Sequence, residues 1–125
     1  MTAVLDAGAL IAVDRRDRAV GAMLRLLHNE GVPVLTSAAV VAQVWRTGRQ
    51  QANLARTLSG CEIAGIEAPE SKRIGELLAA NRTSDIADAH VALLVRDGDR
   101  VLTSDAADIS ALLQTRQVRA KLVDV

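Results

Sequence analysis

Aspartates follow two apolar segments of the chain, one at its start and one near its end. Residues 2–5 (Thr-Ala-Val-Leu) are followed by Asp6, and residues 101–103 (Val-Leu-Thr) are followed by Asp105 and Asp108. If both segments are parallel strands of one sheet, their carboxyl ends meet at one edge, which is where open α/β sheets bind ligands. The pattern therefore predicts a group of carboxylates at that edge.

Two more aspartates, Asp85 and Asp88, open the helix that is predicted to precede the second strand. They are three residues apart and so lie on one helical face. Taken singly, Asp6, Asp85 and Asp105 are also suitable helix N-caps, which is a purely structural role. Taken together, carboxylates this close would raise one another's pKa values unless a cation neutralised them.

Ligation by oxygen alone is typical of Mg²⁺ and Mn²⁺. A bound divalent ion lowers the pKa of its water, and two ions roughly 3.5–4 Å apart can stabilise both the attacking and the leaving oxygen in phosphodiester hydrolysis. The carboxylates therefore indicate metal-dependent phosphodiester chemistry, which needs neither cysteine nor histidine.

The other reactive side chains lack the companions that catalysis requires. His28 and His90 have no further metal-binding residues beside them, so we interpret both as structural or surface groups. Cys61 is interpreted as a small core residue. Ser84 and Ser104 are predicted to be helix caps or hydrogen-bond donors near the ligands, because neither lies in a Gly-x-Ser-x-Gly nucleophile motif.

The composition is that of one globular domain spanning residues 1–125, with 50% hydrophobic and 24% charged residues. A formal net charge of zero argues against a general polyanion binder. Of the 15 basic residues all but two are arginines, which suits bidentate phosphate contacts but is equally expected from a GC-rich coding sequence. Trp45 is the only aromatic residue, which argues against a platform that stacks bases.

A single cysteine allows no internal disulfide, which favours a reducing, cytoplasmic setting. No apolar run approaches the roughly 18 residues of a membrane span. The first apolar segment is interrupted by Asp6 and follows no basic residue, so it does not resemble a signal peptide. We therefore expect a cytoplasmic protein without a membrane partner.

Strand and helix patterns alternate along the chain, which predicts an α/β domain whose parallel sheet is covered on both faces. Either Thr36 or Ser37 is predicted to cap the helix that continues to about Trp45, and Ser84 to cap the helix of Asp88. The other predicted helices span residues 7–13, 19–30, 50–58, 69–80 and 106–115. The predicted strands span residues 2–5, 32–35, 62–66, 100–103 and 121–125.

Four segments, in order and spacing, resemble the PIN-domain family, and in particular the small VapC-type toxins of bacterial toxin–antitoxin pairs. They are residues 4–12 (Val-Leu-Asp-Ala-Gly-Ala-Leu-Ile-Ala), 36–46 (Thr-Ser-Ala-Ala-Val-Val-Ala-Gln-Val-Trp-Arg), 88–92 (Asp-Ala-His-Val-Ala) and 101–108 (Val-Leu-Thr-Ser-Asp-Ala-Ala-Asp). The resemblance covers nearly the whole chain. It implies a three-layer α/β/α sandwich with a central parallel sheet of four to five strands, a Mg²⁺- or Mn²⁺-dependent ribonuclease activity on an RNA substrate, a cognate antitoxin that occludes the site, and a homodimer.

The family's acids can be carried over by position. Asp6 matches the first, Asp88 the third and Asp105 the fourth, which makes these three the expected metal ligands, and Asp108 matches a frequent accessory acid. The family's second acid falls on Gln43, whose amide can orient a water or donate to a phosphate but cannot supply charge to a second cation. A second ion would then need the substrate phosphate, or Asp85 or Asp108 would compensate.

Five residues are candidates for contact with the substrate. Thr103 and Ser104 are placed to adjust the ligands and the phosphate. Arg46, Arg49 and Arg82 are candidates to hold the RNA backbone, because a chain of neutral net charge must bind phosphates through local patches.

Two other functions remain open at this stage. A PIN fold that has lost turnover through Gln43 would act as a module that binds RNA or protein. A receiver-like phosphoacceptor domain also gathers aspartates at strand ends with Mg²⁺. It fits less well, because Asp6 stands alone after the first strand and neither Lys72 nor Lys121 follows a convincing strand end.

Overall fold

A five-stranded parallel sheet forms the centre of the computed structural model, which describes residues 1–125. The strand order is β3-β2-β1-β4-β5 and every neighbouring pair is parallel. This confirms the predicted three-layer α/β/α architecture with a parallel central sheet. The strands are β1 (Ala3–Leu5), β2 (Val34–Ser37), β3 (Glu62–Ala64), β4 (Arg100–Thr103) and β5 (Lys121–Asp124).

Seven helices cover the two faces of this sheet. The chain moves from β1 through β2 to β3 in one direction and from β4 to β5 in the other, so right-handed crossovers place the connecting helices on opposite faces. Helix α1 accordingly packs on α2, α3 and α4, and α5 packs on α6 and α7. The helices are α1 (Ala7–Asp14), α2 (Arg18–Asn29), α3 (Ala38–Val44), α4 (Ala52–Ser59), α5 (Ala68–Asn81), α6 (Ile86–Leu94) and α7 (Ala106–Arg116).

The strand order changes direction at the adjacent parallel strands β1 and β4: β2 and β3 follow on the β1 side, and β5 follows on the β4 side. The site lies at this change of strand order. Leu5 and Leu102 are opposite each other, and the backbone N–H of Asp6 donates to the carbonyl of Leu102 at 3.0 Å. The order also excludes the receiver-like alternative, because that fold has the order 2-1-3-4-5.

The core is continuous across both faces. All three residues of β1 are fully buried, and Val101 and Leu102 of β4 are no more than 2% exposed. Helix α6 presents small side chains to the sheet, among them Ala89 and Ala92, which are 0% exposed. Small residues let a helix axis approach closely, so the helix that carries Asp88 is held firmly against the strands.

Three local predictions need correction. Strand β2 begins at Val34 rather than at residue 32, because Pro33 has no N–H to donate to the ladder. Strand β3 ends at Ala64 rather than at residue 66. The cap of α6 is Asp85 and not Ser84, since the Asp85 carboxylate accepts from the N–H of Asp88 at 2.9 Å.

Of the two candidate caps of α3, Ser37 is confirmed, because its hydroxyl accepts from the N–H of Ala39 at 3.0 Å. The Thr36 hydroxyl instead donates to the carbonyl of Leu5 at 2.8 Å and ties β2 to β1. None of the helices combines the length and the apolar character that crossing a bilayer requires.

Candidate metal centre

Three aspartates converge at the carboxyl edge of the sheet. Asp6 follows β1, Asp105 follows β4 after one residue, and Asp88 lies in the first turn of α6. One carboxylate oxygen of each lies within 4.8 Å of those of the other two. Asp6 is 1% exposed, Asp88 is half-buried and Asp105 is exposed, so the cluster opens outward from a buried base.

The buried base of the cluster is held by Thr103, the last residue of β4. Its hydroxyl donates to one carboxylate oxygen of Asp6 at 2.7 Å and accepts from the N–H of Asp105 at 2.9 Å. The other carboxylate oxygen of Asp6 accepts from the N–H of Ala7 at 2.8 Å. Thr103 is fully buried, and its hydroxyl orients the carboxylate of Asp6 and the backbone of Asp105. Its predicted contact with the substrate stays a prediction.

The cluster carries more negative charge than its surroundings neutralise. Burial raises the pKa of Asp88 to about 7, and repulsion by Asp6, Asp85, Asp105 and Asp108 adds to the rise. Burial also raises the pKa of Asp6, although the Thr103 hydrogen bond opposes this. A cation placed among these carboxylates would remove the repulsion and favour their charged forms.

The geometry fits a small divalent ion held by oxygen. Two ligands of one Mg²⁺ at about 2.1 Å can lie no more than about 4.2 Å apart. The upper limit of 4.8 Å within the triad exceeds that separation by roughly 0.6 Å, a difference that small side-chain rotations can close. Asp6, Asp88 and Asp105 are therefore the residues that could hold a Mg²⁺ or Mn²⁺ ion.

A glycine that the sequence patterns did not single out lets two parts of this site approach each other. A Cβ atom built on Gly8 of α1 would lie 2.7 Å from the Cβ and 2.9 Å from the backbone N of Ser104. Ser104 immediately precedes Asp105, so the close approach of α1 to this turn fixes the separation of Asp6 and Asp105. The only sign of this close approach in the sequence is that a glycine, Gly8, lies two residues after Asp6.

The two further acids and the glutamine are placed less centrally. Asp108 is exposed in the first turn of α7, and Asp85 is the cap of α6. Together with Asp88 they line a cavity of about 340 Å³ beside the triad. Gln43 is exposed on α3, which packs against both α1 and α6, and its side chain makes no hydrogen bond within the protein.

The three predicted arginines differ in their availability to a substrate. The guanidinium of Arg46 donates to the carbonyls of Trp45 and Ala42, at 2.6 and 3.3 Å, and so closes the end of α3. Arg49 is exposed and makes no hydrogen bond. Arg82 is exposed in a left-handed conformation at the end of α5, next to the cavity that Asp85 and Asp88 line.

The structural interpretation of His90 is confirmed. It is 1% exposed and its Nδ1 lies 2.6 Å from the hydroxyl of Ser37. Burial lowers the pKa of His90, although Glu70 nearby opposes this. Cys61 is partly buried, with its thiol against the carbonyl of Thr57 at 3.2 Å.

No protein-family model and no curated protein sequence matches this chain. Among solved structures it is similar to one chain of the crystal structure of VapBC2 from Rickettsia felis bound to a DNA fragment from their promoter. The two are 16% identical with a TM-score of 0.67, and the likeness covers 100% of this chain and 99% of that chain. At this identity the likeness concerns the fold. Along its whole length, this chain has the fold of that VapBC2 chain.

Proposed function

We propose that this protein is a Mg²⁺- or Mn²⁺-dependent endoribonuclease that acts as the toxin of a toxin–antitoxin pair. The observation that carries the proposal is the convergence of Asp6, Asp88 and Asp105 at the carboxyl edge between β1 and β4, where the strand order changes direction. Support comes from the fold shared with a VapBC2 chain and from the raised pKa of Asp88, which marks a site with too much negative charge for its burial.

Each residue of the site has a distinct role in this proposal. Asp6, Asp88 and Asp105 hold the ion, directly or through water, and Asp108 adds charge at the rim. The Thr103 hydroxyl keeps Asp6 oriented and ties it to the turn of Asp105. The exposed amide of Gln43 can position a water or donate to a phosphate oxygen.

When bound, the ion would lower the pKa of a water and stabilise charge that develops on the phosphate. The protein contributes the fixed positions of the carboxylates and a partly buried setting in which charges interact more strongly than in bulk water. Ser104 and Arg82 are exposed groups beside the cluster that can reach the RNA backbone, and Arg49 stays an exposed candidate for holding it.

Three further features belong to the same proposal. A cognate antitoxin would cover the carboxylate edge, the active form would be a homodimer, and the protein would work in the cytoplasm. Ile11 of α1 is 38% exposed and offers an apolar contact for a second copy.

The direct test is cleavage of total RNA by purified protein with Mg²⁺, with Mn²⁺ and with chelator. Asp88→Asn should reduce metal-dependent cleavage by roughly 10²–10³-fold, the range typical of losing a group that stabilises the transition state. Asp124→Asn, which removes an exposed acid on β5, is the matched control and should cleave like the unaltered protein. Full activity of Asp88→Asn would remove Asp88 from the mechanism.

A catalytically weak PIN fold that only binds RNA or protein is the second candidate, and the neutral Gln43 favours it. Gln43→Glu separates the two. A large gain of metal affinity and cleavage in this variant would show that glutamine had weakened the site. Similar activity with either residue would show that glutamine is compatible with turnover.

A further inference from the structure

A large cavity lies at the opposite edge of the sheet from the carboxylates. It occupies about 1110 Å³ between α2, α4 and the segments that lead into β2 and β3. Val34 at the start of β2 and Cys61 just before β3 form part of its wall. Because the strands are parallel, this wall is the amino edge of the sheet.

Four arginines line this cavity, which we call the arginine groove: Arg16, Arg18, Arg25 and Arg56. All four are exposed, and none has an acidic partner, since the only ion pair of the protein joins Arg100 and Glu30 at 4.0 Å.

The one acid in the wall of the groove is Asp17. Its carboxylate already accepts from the N–H of Val20 as the cap of α2. The guanidinium of Arg56 donates only to the amide oxygen of Asn53, at 3.3 Å. The groove therefore has an excess of positive charge, four guanidinium groups against one carboxylate, on a protein whose net charge is zero.

The arginines of the groove are spaced along the surface. Arg18 and Arg25 are seven residues apart on α2, about 10.5 Å along its axis and on one face. Arg56 approaches from α4, a different element. Such a row matches a ligand with several negative groups in series better than a single small anion.

A phosphodiester chain cannot be held at the carboxylate edge by charge alone. Asp6, Asp85, Asp88, Asp105 and Asp108 repel phosphates there until a cation is bound. Affinity for a nucleic acid comes mainly from neutralising its phosphates with Lys and Arg. Guanidinium groups do this in a bidentate manner, and the cavity at the amino edge is lined by four of them that are free to do so.

Helix α1 connects the two places. It begins directly after Asp6 and ends at Asp14, two residues before Arg16. Its eight residues correspond to about 12 Å of helix. A single strand of RNA that enters the carboxylate site can therefore reach the arginine groove within a few nucleotides.

We propose that the arginine groove binds backbone phosphates of the RNA substrate at a distance from the bond that is cut. The inference rests on the proposed ribonuclease function and adds to it where the substrate is held. It requires that a short RNA, which occupies only the metal site, does not use the groove, whereas a longer RNA does.

The test is RNA binding in the presence of chelator, where no cleavage takes place. A labelled single-stranded RNA of about 20 nucleotides is titrated with unaltered protein, with Arg18→Gln/Arg25→Gln and with the control Arg73→Gln/Arg119→Gln. The control removes the same charge from exposed sites outside the groove. We expect the groove variant to bind roughly tenfold more weakly than the control at 0.1 M salt, and its salt slope to fall by about 1.4, or 0.7 for each lost phosphate contact.

Equal affinity and equal salt slope of the two double variants would overturn the proposal, as would the absence of RNA binding by the unaltered protein. Arg56→Gln, on another helix, must weaken binding in the same direction, which guards against a local folding defect in α2. Because these measurements need no turnover, they decide the groove separately from the nuclease activity.

A cleavage assay completes the test. With Mg²⁺, the groove variant should raise the KM for the long RNA and leave kcat unchanged, while a dinucleotide, which is too short to extend to the groove, is cut as by the unaltered protein. An acidic protein segment is the competing occupant. If a polyglutamate peptide loses affinity for the groove variant while RNA does not, the groove is a protein-docking surface and the proposal is wrong.

Discussion

At the scale of single residues, the site depends on a threonine whose hydroxyl links two carboxylates. Thr103 donates to Asp6 and accepts from the backbone of Asp105. Thr103 was predicted to lie at the site because it ends a predicted strand two residues before Asp105. It could not distinguish a hydroxyl that faces the substrate from one that faces the core, since that depends on the register of β4 against β1.

Replacing Thr103 with valine keeps the shape of the side chain and removes both hydrogen bonds. Metal affinity should fall roughly 10–100-fold, as for other losses of groups that orient metal ligands. The buried carboxylate of Asp6 is also left with one partner fewer, which should cost about 1–3 kcal/mol of stability. Mn²⁺ titration and thermal denaturation measure the two effects.

Thr36→Val is the matched control for this change, because Thr36 is also a buried threonine near the carboxyl end of a strand, β2. Its hydroxyl bonds to a backbone carbonyl and touches no carboxylate. It should lose stability and keep its metal affinity. Equal loss of metal affinity in both variants would show that Thr103 acts only through the fold.

The raised pKa of Asp88 predicts how stability depends on pH without metal. The folded protein keeps a proton on Asp88 up to about pH 7, whereas the unfolded chain releases it near the ordinary value of 3.8. Where the folded state binds more protons, stability falls as pH rises. The contribution of Asp88 should therefore decline between about pH 4 and pH 7 and stay low above that range.

Asp88→Asn carries a permanently neutral side chain and isolates this effect. In chelator, its melting temperature should exceed that of the unaltered protein by a margin that grows from pH 5 to pH 8. Added Mn²⁺ should raise the melting temperature of the unaltered protein alone. A variant less stable than the unaltered protein at pH 8 in chelator would contradict the raised pKa.

At the scale of elements, the site depends on how closely α1 approaches the turn between β4 and α7. Gly8→Ala would place a Cβ against the backbone of Ser104, so either α1 or the turn must move. We expect a loss of about 1–3 kcal/mol from this overpacking and weaker metal binding, because Asp105 moves with the turn. Gly75→Ala is the control, since a Cβ there meets nothing within 4 Å.

Gly75 lies in the exposed part of α5, so its replacement by alanine should stabilise the protein by about 0.5–1 kcal/mol and leave metal binding unchanged. Denaturant unfolding and Mn²⁺ titration of the two variants give the comparison. If Gly8→Ala binds Mn²⁺ as tightly as Gly75→Ala does, the approach of α1 does not determine the geometry of the site.

Most elements were predictable because their signals are local. Strand β4 was predicted with its observed bounds, and α1 and α7 to within one residue, since an apolar run or an amphipathic period defines each. The N-cap of α6 was not predicted correctly, because Ser84 and Asp85 are adjacent and both are good capping residues. Which of the two serves depends on how α6 packs on the sheet.

At the scale of the whole molecule, charge is separated across the sheet although the net charge is zero. Acids gather at the carboxyl edge and unpaired arginines at the amino edge. The convergence of Asp6 with Asp105 was predictable once the strands were taken as parallel. The arginine groove was not, because its members are far apart in sequence and only the packing of α2 beside α4 brings them to one cavity.

Strand order likewise belongs to this scale. Alternating strands and helices predict a parallel sheet but are compatible with several orders, including that of a receiver domain. The pairing of β1 with β4 is what brings Asp6 beside Asp105, and it joins segments almost 100 residues apart. No local pattern in the sequence encodes such a pairing, whereas the resemblance of the motifs to a family with a known fold implied it.

The measurement that tests the central claim most directly is calorimetric titration of the protein with Mn²⁺ at pH 7 in two buffers of different ionisation enthalpy. We expect one ion per chain and net release of protons, since the pKa of Asp88 is raised to about 7 without metal. Binding should be lost in Asp6→Asn, Asp88→Asn and Asp105→Asn and kept in Asp124→Asn. Undiminished binding in the three site variants would contradict a metal centre at this triad.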